Sequence, residues 1–210
     1  MGNRKKEALI QFNKEHILSS AKKLFEAQGI SITTVDDIAK EADCSKSTLY
    51  VYFKSKDDIL NHIILEQMHL LKDALQEGIS RAEGFEECYF SICNSLVKLQ
   101  EQYPVYYELI LGTIRLEERD FEEKNILYDI YVVGEEINDI IEELLLRGIE
   151  SGYIRKDIQV LPTIFCLWAG ISETVRFADQ KQKYFQMRLG MTKAEYMDYS
   201  FHMLLRSIRG

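Results

Sequence analysis

The chain has 210 residues, 46% of them apolar and only two of them proline, which is enough for one or two domains with a buried core. Its net charge of −8 argues against nucleic-acid binding by the whole surface, but the charge is unevenly distributed. Residues 1–56 carry 10 basic and 7 acidic side chains, whereas residues 57–210 carry 16 and 27. A basic head on an acidic body is typical of a protein that contacts DNA with one end.

The polar start and the cysteine pattern indicate a cytoplasmic protein. The least polar run, Val160–Ile171, has 12 residues and is too short to span a bilayer, so we expect a soluble protein without a membrane partner. Cys44, Cys88, Cys93 and Cys166 form no Cys-x-x-Cys pair. They are interpreted as reduced and mostly buried thiols, with a redox switch as the alternative.

The head is predicted to begin with two helices. Apolar residues recur at helical spacing over Asn13–Gln28, and Gly29 stands where a C-terminal cap is expected. The second helix begins after Thr34, which resembles a capping box with Asp37 three residues later. It is predicted to be short, because Asp43 and the following cysteine interrupt it.

A third helix is predicted over Lys46–Phe53, after Ser45 as N-cap, and a fourth over Lys56–Ala82. Two short helices joined by a three-residue turn and supported by a third make a helix-turn-helix unit, which places the first residues of its second helix in the major groove. Lys46 can donate to guanine or phosphate, and the tyrosine hydroxyls suit phosphate oxygens. The alternative to DNA contact for Tyr50 and Tyr52 is that they merely pack the third helix. The predicted DNA-binding residues are Thr34, Ser45, Lys46, Ser47, Thr48, Tyr50, Tyr52 and Lys56.

The rest of the chain is also predicted to be helical. Gly84, Pro104, Gly152 and Gly190 separate its helices, and the longest of these runs from about Phe121 to Ser151. A full capping box, Thr-Lys-Ala-Glu, opens the last helix at residue 192. We find no strand alternation, so the predicted fold is all-α with about nine helices.

Residues 17–60 closely resemble the TetR family of transcription regulators, above all in the run Thr-Leu-Tyr-x-Tyr-Phe-x-x-Lys at positions 48–56. A weaker resemblance covers Gly148, Gly152 and Asp157. Asp43 stands where the family often has Gly, Cys44 where it often has Val, and Ser47 where it often has Gly. Asp tolerates the left-handed backbone that such a turn requires, so the turn is expected to persist. The matching residues are Ile17, Leu18, Ala21, Leu24, Phe25, Gly29, Thr34, Val35, Ile38, Ala39, Ala42, Ser45, Thr48, Leu49, Tyr50, Tyr52, Phe53, Lys56 and Leu60.

The resemblance implies a helix-turn-helix DNA-binding domain over residues 1–56 and a ligand-binding and dimerisation domain over residues 57–210. It implies a homodimer held by the last two helices, and a small-molecule effector bound among the central ones. The acidic balance and the dense aromatics favour an apolar, aromatic or cationic effector. We expect this effector to release a repressor from a palindromic DNA operator. The predicted effector-binding residues are Tyr107, Leu111, Tyr128, Tyr131, Phe165 and Trp168. The predicted dimer contacts are Leu161, Phe165, Trp168, Ala169, Gly170, Phe201, Leu204 and Ile208.

Other functional classes are less well supported. The chain has no Gly-rich phosphate loop, nucleophile elbow or His-Glu-x-x-His motif, so we expect neither an enzyme nor a cofactor. His62, Glu66 and His69 share one helix face that could hold a transition metal, but Asp73 continues the stripe. A solvated face is the preferred interpretation, and no metal site is predicted. A dimeric helical interaction or sensor protein without specific DNA binding is the alternative function.

Overall fold

The computed structural model describes residues 2–111 and 117–210, with side chains from residue 6 onward. Within these residues the secondary structure consists of helices without β-strands, which confirms the predicted all-α class. Their number is larger than the nine expected. The helices are α1 (Gly2–Gln28), α2 (Val35–Glu41), α3 (Lys46–Tyr52), α4 (Lys56–Arg81), α5 (Phe85–Gln102), α6 (Pro104–Ile110), α7 (Glu118–Glu123), α8 (Ile126–Glu150), α9 (Val160–Gln180), α10 (Gln182–Leu189) and α11 (Lys193–Ile208).

Two predicted helix boundaries are wrong. The first helix begins at Gly2 rather than Asn13, since no breaker separates the two positions. The single helix predicted over residues 121–151 is interrupted at Lys124, whose φ of 47° is left-handed. Asn125 then starts a new helix, because its side-chain oxygen accepts the backbone N–H of Leu127 at 3.0 Å.

The chain divides into two compact units. The first comprises the described parts of residues 1–67 and 108–131, and the second comprises residues 68–107 and 132–210. In the first unit α1, α2 and α3 pack around a shared core, in which Phe25, Ile38, Leu49 and Phe53 are almost fully buried. Burial of four such side chains stabilises this unit by about 1.5–3 kcal/mol each. Leu49 and Phe53 therefore face inward, as their spacing of four predicts.

In the second unit α9 packs closely against α11 and α5. A Cβ built on Gly170 would lie 2.8 Å from a methyl carbon of Leu204, so the absence of a side chain allows α9 and α11 to approach. The predicted assignment of Phe201 and Ile208 to a dimer contact is wrong, because both are buried within their own unit. The exposed apolar residues of this pair of helices are instead Leu161, Phe165, Phe177, Tyr199 and Met203.

Helix α9 is the one helix in the described part of the chain whose length and composition would suffice to cross a membrane. It has 21 residues and a mean hydropathy of 1.2, and core helices of soluble proteins also meet this criterion. It continues nine residues beyond the apolar run Val160–Ile171. Only 22% of its most apolar window is buried, so this helix presents apolar surface outward.

Candidate nucleic-acid interface and apolar cavity

Helix α2 starts at the predicted capping box. The Thr34 hydroxyl accepts the backbone N–H of Asp37 at 3.2 Å, and the Asp37 carboxylate accepts the Thr34 backbone N–H at 2.9 Å. The side-chain and backbone hydrogen bonds from Thr34 hold the pKa of Asp37 below its usual value. Thr34 is exposed, but its hydroxyl is already engaged in the cap.

The turn between α2 and α3 is built around Asp43. Its φ of 47° is in the left-handed region, which Asp tolerates better than most residues, as the sequence predicts. The backbone N–H of Cys44 donates to Ala39 O at 2.9 Å and closes the turn. Ser45 then caps α3, because its hydroxyl accepts the backbone N–H of Thr48 at 3.0 Å.

The N-terminal half of α3 presents a continuous polar surface. Ser45, Lys46, Ser47 and Thr48 are all exposed, and the Ser45 hydroxyl lies within 2.8 Å of the hydroxyls of Ser47 and Thr48. Tyr50 is 48% exposed on the same short helix. Small polar groups and one cation at the start of a helix suit approach to base edges and phosphates in a major groove.

Lys46 forms an ion pair that the sequence interpretation missed. Its Nζ lies 2.9 Å from Asp36 Oδ1 and 3.0 Å from Asp36 Oδ2, across the two helices of the unit. The hydrogen bond and the charge of Asp36 raise the pKa of Lys46, so the lysine is fully charged at neutral pH. The available signal was an acidic residue in the first turn of α2, ten positions before a lysine in the first turn of α3.

The side chains of Tyr52 and Lys56 form hydrogen bonds within the first unit. The Tyr52 hydroxyl accepts a hydrogen bond from Asn13 Nδ2 at 2.8 Å. The Lys56 ammonium donates to Ile30 O at 2.8 Å and Thr33 O at 3.0 Å, and so joins the start of α4 to the loop that follows α1. Both residues stay predictions as DNA contacts, and Lys56 has a structural role that the sequence did not reveal.

A cleft of about 330 Å³ borders α3 within the first unit. Tyr50, Tyr52 and Phe53 line it, and two half-buried or exposed lysines, Lys14 and Lys54, contribute ammonium groups. Lys54 belongs to the basic region expected after α3, whereas Lys14 stands 32 residues before Lys46 and escapes any local motif. Asp58 and Asp129 line the same cleft, so it holds carboxylates as well as these two lysines.

The second unit contains an apolar cavity of about 20 Å³ between α5, α8 and α9. It has room for about one water molecule, whereas pockets for drug-sized ligands measure roughly 300–1,000 Å³. The Tyr89 hydroxyl is directed to Phe201 O at 2.9 Å, so no free polar group enters the cavity from this residue. The lining residues are Phe85, Tyr89, Ile92, Ile141, Leu144, Leu145, Ile164, Leu167, Trp168 and Ile171.

The six predicted effector-binding residues do not come together in this cavity, and of them only Trp168 lines it. Tyr107 is buried in the second unit with its hydroxyl donating to Ser172 O at 2.8 Å, and Phe165 is 56% exposed. Leu111, Tyr128 and Tyr131 belong to the first unit. There the two tyrosines pack with Phe121, with ring centroids 5.4–6.4 Å apart. Aromatic density identifies helices with apolar faces but not which face encloses a cavity.

The remaining titratable residues show no metal centre among the described positions. Glu66 pairs with Lys22 at 2.7 Å, and His62 Nδ1 lies 2.8 Å from Asp58 O, so two members of the proposed stripe have other partners. Cys88 and Cys93 are buried, and burial raises the pKa of Cys93 to about 12. Cys44 is half-buried and Cys166 is exposed, so the expectation of buried thiols holds for two of the four.

A capped helix-turn-helix with an exposed polar recognition helix, together with an all-helical unit around an apolar cavity, defines the class of DNA-binding transcription regulators. Residues 17–63 match the sequence model of the bacterial regulatory proteins of the tetR family. These observations confirm the predicted resemblance of the chain to the TetR family of transcription regulators.

Relatives of known name support this assignment. The chain is 27% identical over 190 residues to the fatty acid metabolism regulator protein of Bacillus subtilis, covering 89% of this chain and 94% of that protein. It is 29% identical over 160 residues to the transcriptional regulator YfiR of the same organism, covering 70% of each. These relatives are transcription regulators and not enzymes.

Solved structures share the fold. The crystal structure of FadR from Bacillus subtilis in complex with stearoyl-CoA superposes with a TM-score of 0.70 at 22% identity, over 93% of this chain and 99% of that one. The fatty acid degradation regulator FadR from Bacillus halodurans gives a TM-score of 0.69 at 20% identity, over 92% and 94%.

Proposed function

We propose that this regulator is a cytoplasmic, dimeric repressor that binds a partly palindromic operator through α3 and is released from it by an apolar effector. The observation that carries the DNA-binding assignment is the exposed polar start of α3, residues 45–48, held rigidly by the Ser45 cap and followed by Tyr50. The basic balance of residues 1–56 supports it. In this proposal residues 1–56 form the DNA-binding domain, and residues 57–210 form the effector-binding and dimerisation domain.

Dimerisation is required by the small size of the reading surface. One recognition helix contacts three or four bases, which is too little for useful specificity, and pairing two heads on two half-sites is the physical solution. Leu161 and Phe165 on α9, and Tyr199 and Met203 on α11, are spaced by four residues on each helix and are exposed. Burial of these two faces against a second copy would form an isologous interface.

The effector is proposed to enter the cavity beside Trp168. Eight of the ten lining residues have hydrocarbon side chains, the Tyr89 hydroxyl is already hydrogen-bonded, and Trp168 adds one indole N–H. The cavity therefore favours an aliphatic chain over a charged group. Within the class of apolar effectors, a long-chain acyl compound is the most specific candidate. The stearoyl-CoA bound by FadR of Bacillus subtilis supports it, because that protein shares the fold. Since the cavity holds about 20 Å³, such a ligand must displace α5, α8 or α9 from their packing.

Helix α4 provides the physical route from effector to DNA. It starts at Lys56, four residues after α3 ends, and its residues from Met68 onward belong to the second unit. Because the duplex fixes the distance between half-sites, an effector that stabilises a different spacing of the two heads weakens DNA binding. Linkage makes this coupling reciprocal, with an expected magnitude of about 1–3 kcal/mol.

The test is a selection of bound duplexes from a random-sequence pool, followed by fluorescence anisotropy on the enriched sequence. We expect a partly palindromic site, an affinity that falls steeply with salt, and release on addition of oleoyl-CoA or 1-decanol. Failure to enrich any sequence at low salt would contradict DNA binding and favour the interaction-protein alternative. Binding that persists unchanged after replacement of Lys46, Tyr50 and Lys56 would contradict the residue assignment.

A further inference from the structure

The ion pair between Asp36 and Lys46 places a carboxylate on the surface that is proposed to meet DNA. Both side chains are largely exposed, at 68% for Asp36 and 50% for Lys46, and both oxygens of the carboxylate lie within 3.0 Å of the ammonium. A carboxylate facing a polyanion opposes binding by itself. Asp36 faces Lys46, the one lysine of α3, so its effect on DNA recognition must be exerted together with that lysine.

We propose that Asp36 is a positioning and specificity-determining residue: it fixes the Lys46 ammonium and offsets its charge, so that Lys46 distinguishes base sequences instead of binding phosphates on any duplex. This inference rests on the proposed DNA-binding function of α3.

The ion pair first changes how the charge of Lys46 acts on the phosphates. Sequence-independent affinity comes from neutralising phosphates and releasing their counterions. An ammonium whose charge is balanced by a carboxylate 2.9 Å away adds little to that release. Lys14 and Lys54, which have no ion pair among the described residues, remain available to the phosphates. In this proposal Lys14 and Lys54 attract the DNA phosphates, whereas Lys46 contacts the bases.

The ion pair also fixes the geometry of the Lys46 ammonium. An ammonium has three N–H donors, and contact with the Asp36 carboxylate leaves at least one of them free for the acceptors of a guanine. Pairing also restricts the four-carbon side chain of Lys46, so less rotamer freedom is lost when it contacts a base. Asp36 itself can accept from the amino group of a cytosine. Together the two groups form a neutral donor–acceptor unit that matches a base pattern better than a phosphate.

The chain offers a matched control in Glu41. This residue also belongs to α2 and also pairs with a lysine, Lys23 of α1. Five residues separate it from Asp36, which at 3.6 residues per turn places it about 140° away around the helix. Asp36→Asn and Glu41→Gln each remove one negative charge and one exposed ion pair from α2 while conserving side-chain shape. They differ in whether the lost charge faces Lys46.

The experiment compares wild type, D36N and E41Q on two duplexes by fluorescence anisotropy between 50 and 200 mM salt. One duplex is the sequence that wild type selects from a random pool, and the other is its scrambled version. We expect D36N to bind the scrambled duplex about tenfold more tightly at low salt, with a log–log salt slope steeper by about 0.9. Its preference for the selected duplex should fall about tenfold, the size of one lost base contact. E41Q should keep the wild-type ratio, and both variants should melt at closely similar temperatures.

A double-mutant cycle with Lys46→Ala shows whether Asp36 acts through Lys46. The loss of preference caused by D36N should disappear in the K46A background. An equal loss with and without Lys46, or an unchanged ratio in D36N, overturns the inference while leaving the DNA-binding proposal intact. If wild type selects no sequence, the proposed function fails first and the inference fails with it.

Discussion

Truncation of Ile164 to alanine tests whether the apolar cavity is the effector site. Ile164 is fully buried on α9 and lines the cavity, so Ile164→Ala enlarges a space that already measures about 20 Å³. Removal of three carbons costs about 2.4 kcal/mol at roughly 0.8 kcal/mol per buried methylene. The cavity that remains raises the destabilisation to about 3–4 kcal/mol, within the usual range for such a change. The variant should nevertheless bind apolar ligands better than wild type, because less core packing must be displaced.

The assay uses the fluorescence of Trp168, the one tryptophan of the chain, which lines the same cavity. Urea unfolding gives the loss in free energy of unfolding, and titration with 1-decanol gives the change in affinity. Ile130→Ala is the matched control, since Ile130 is 1% exposed but belongs to the first unit. The control should lose comparable stability without gaining affinity. Equal affinity for 1-decanol in the two variants would falsify the assignment of the cavity as the effector site.

Three further predictions concern the cap, the dimer and the acid limit of stability. Ser45→Ala should lower the free energy of unfolding of the first unit by about 0.5–2 kcal/mol in chemical denaturation, because the backbone N–H of Thr48 loses its acceptor; no measurable loss would contradict the cap. Phe165→Lys should give a monomer in analytical ultracentrifugation, whereas a dimer of unchanged affinity would exclude this face of α9. The folded-state pKa of Asp37 is depressed, so its stabilisation is present above the unfolded pKa of about 3.8 and is lost as pH falls through the folded value. Asp37→Asn should therefore flatten the decline in melting temperature below pH 4. The same decline in wild type and variant would refute the contribution of Asp37 to stability.

Local chemistry made the head of the molecule readable from its sequence. The caps at Thr34, Ser45 and Thr192 use hydrogen bonds between residues three apart, so sequence spacing alone locates the helix starts. The left-handed backbone of Asp43 was predictable because Asp tolerates this conformation and stands where the similar family often has Gly. The break at Lys124 was not, because the apolar periodicity continues on both sides of it.

Features that depend on distant contacts could not be read from the sequence. The acceptors of Lys56 lie 23 and 26 residues before it, and the match to a DNA-binding motif suggested a different role. The cavity-lining set around Trp168 is drawn from three helices, and nothing in the sequence distinguishes it from the equally apolar outer face that carries Phe165. The fold class and the start of α3 were therefore predictable from the sequence, whereas the residues that line the cavity were not.

The position of the Lys56 ammonium determines how a mutational scan of the head should be interpreted. Loss of this group leaves two loop carbonyls, Ile30 O and Thr33 O, without a donor and frees the start of α4 from the loop before α2. An alanine scan scored by operator occupancy alone would thus count Lys56 among the residues that touch the duplex. A parallel scan of thermal stability separates the two causes, since replacement of a proposed contact residue such as Lys46 should leave the melting temperature nearly unchanged. Basic residues in such a motif are therefore of two kinds. One kind, such as Lys56, stabilises the fold through hydrogen bonds to the backbone, and the other is exposed and can contact DNA.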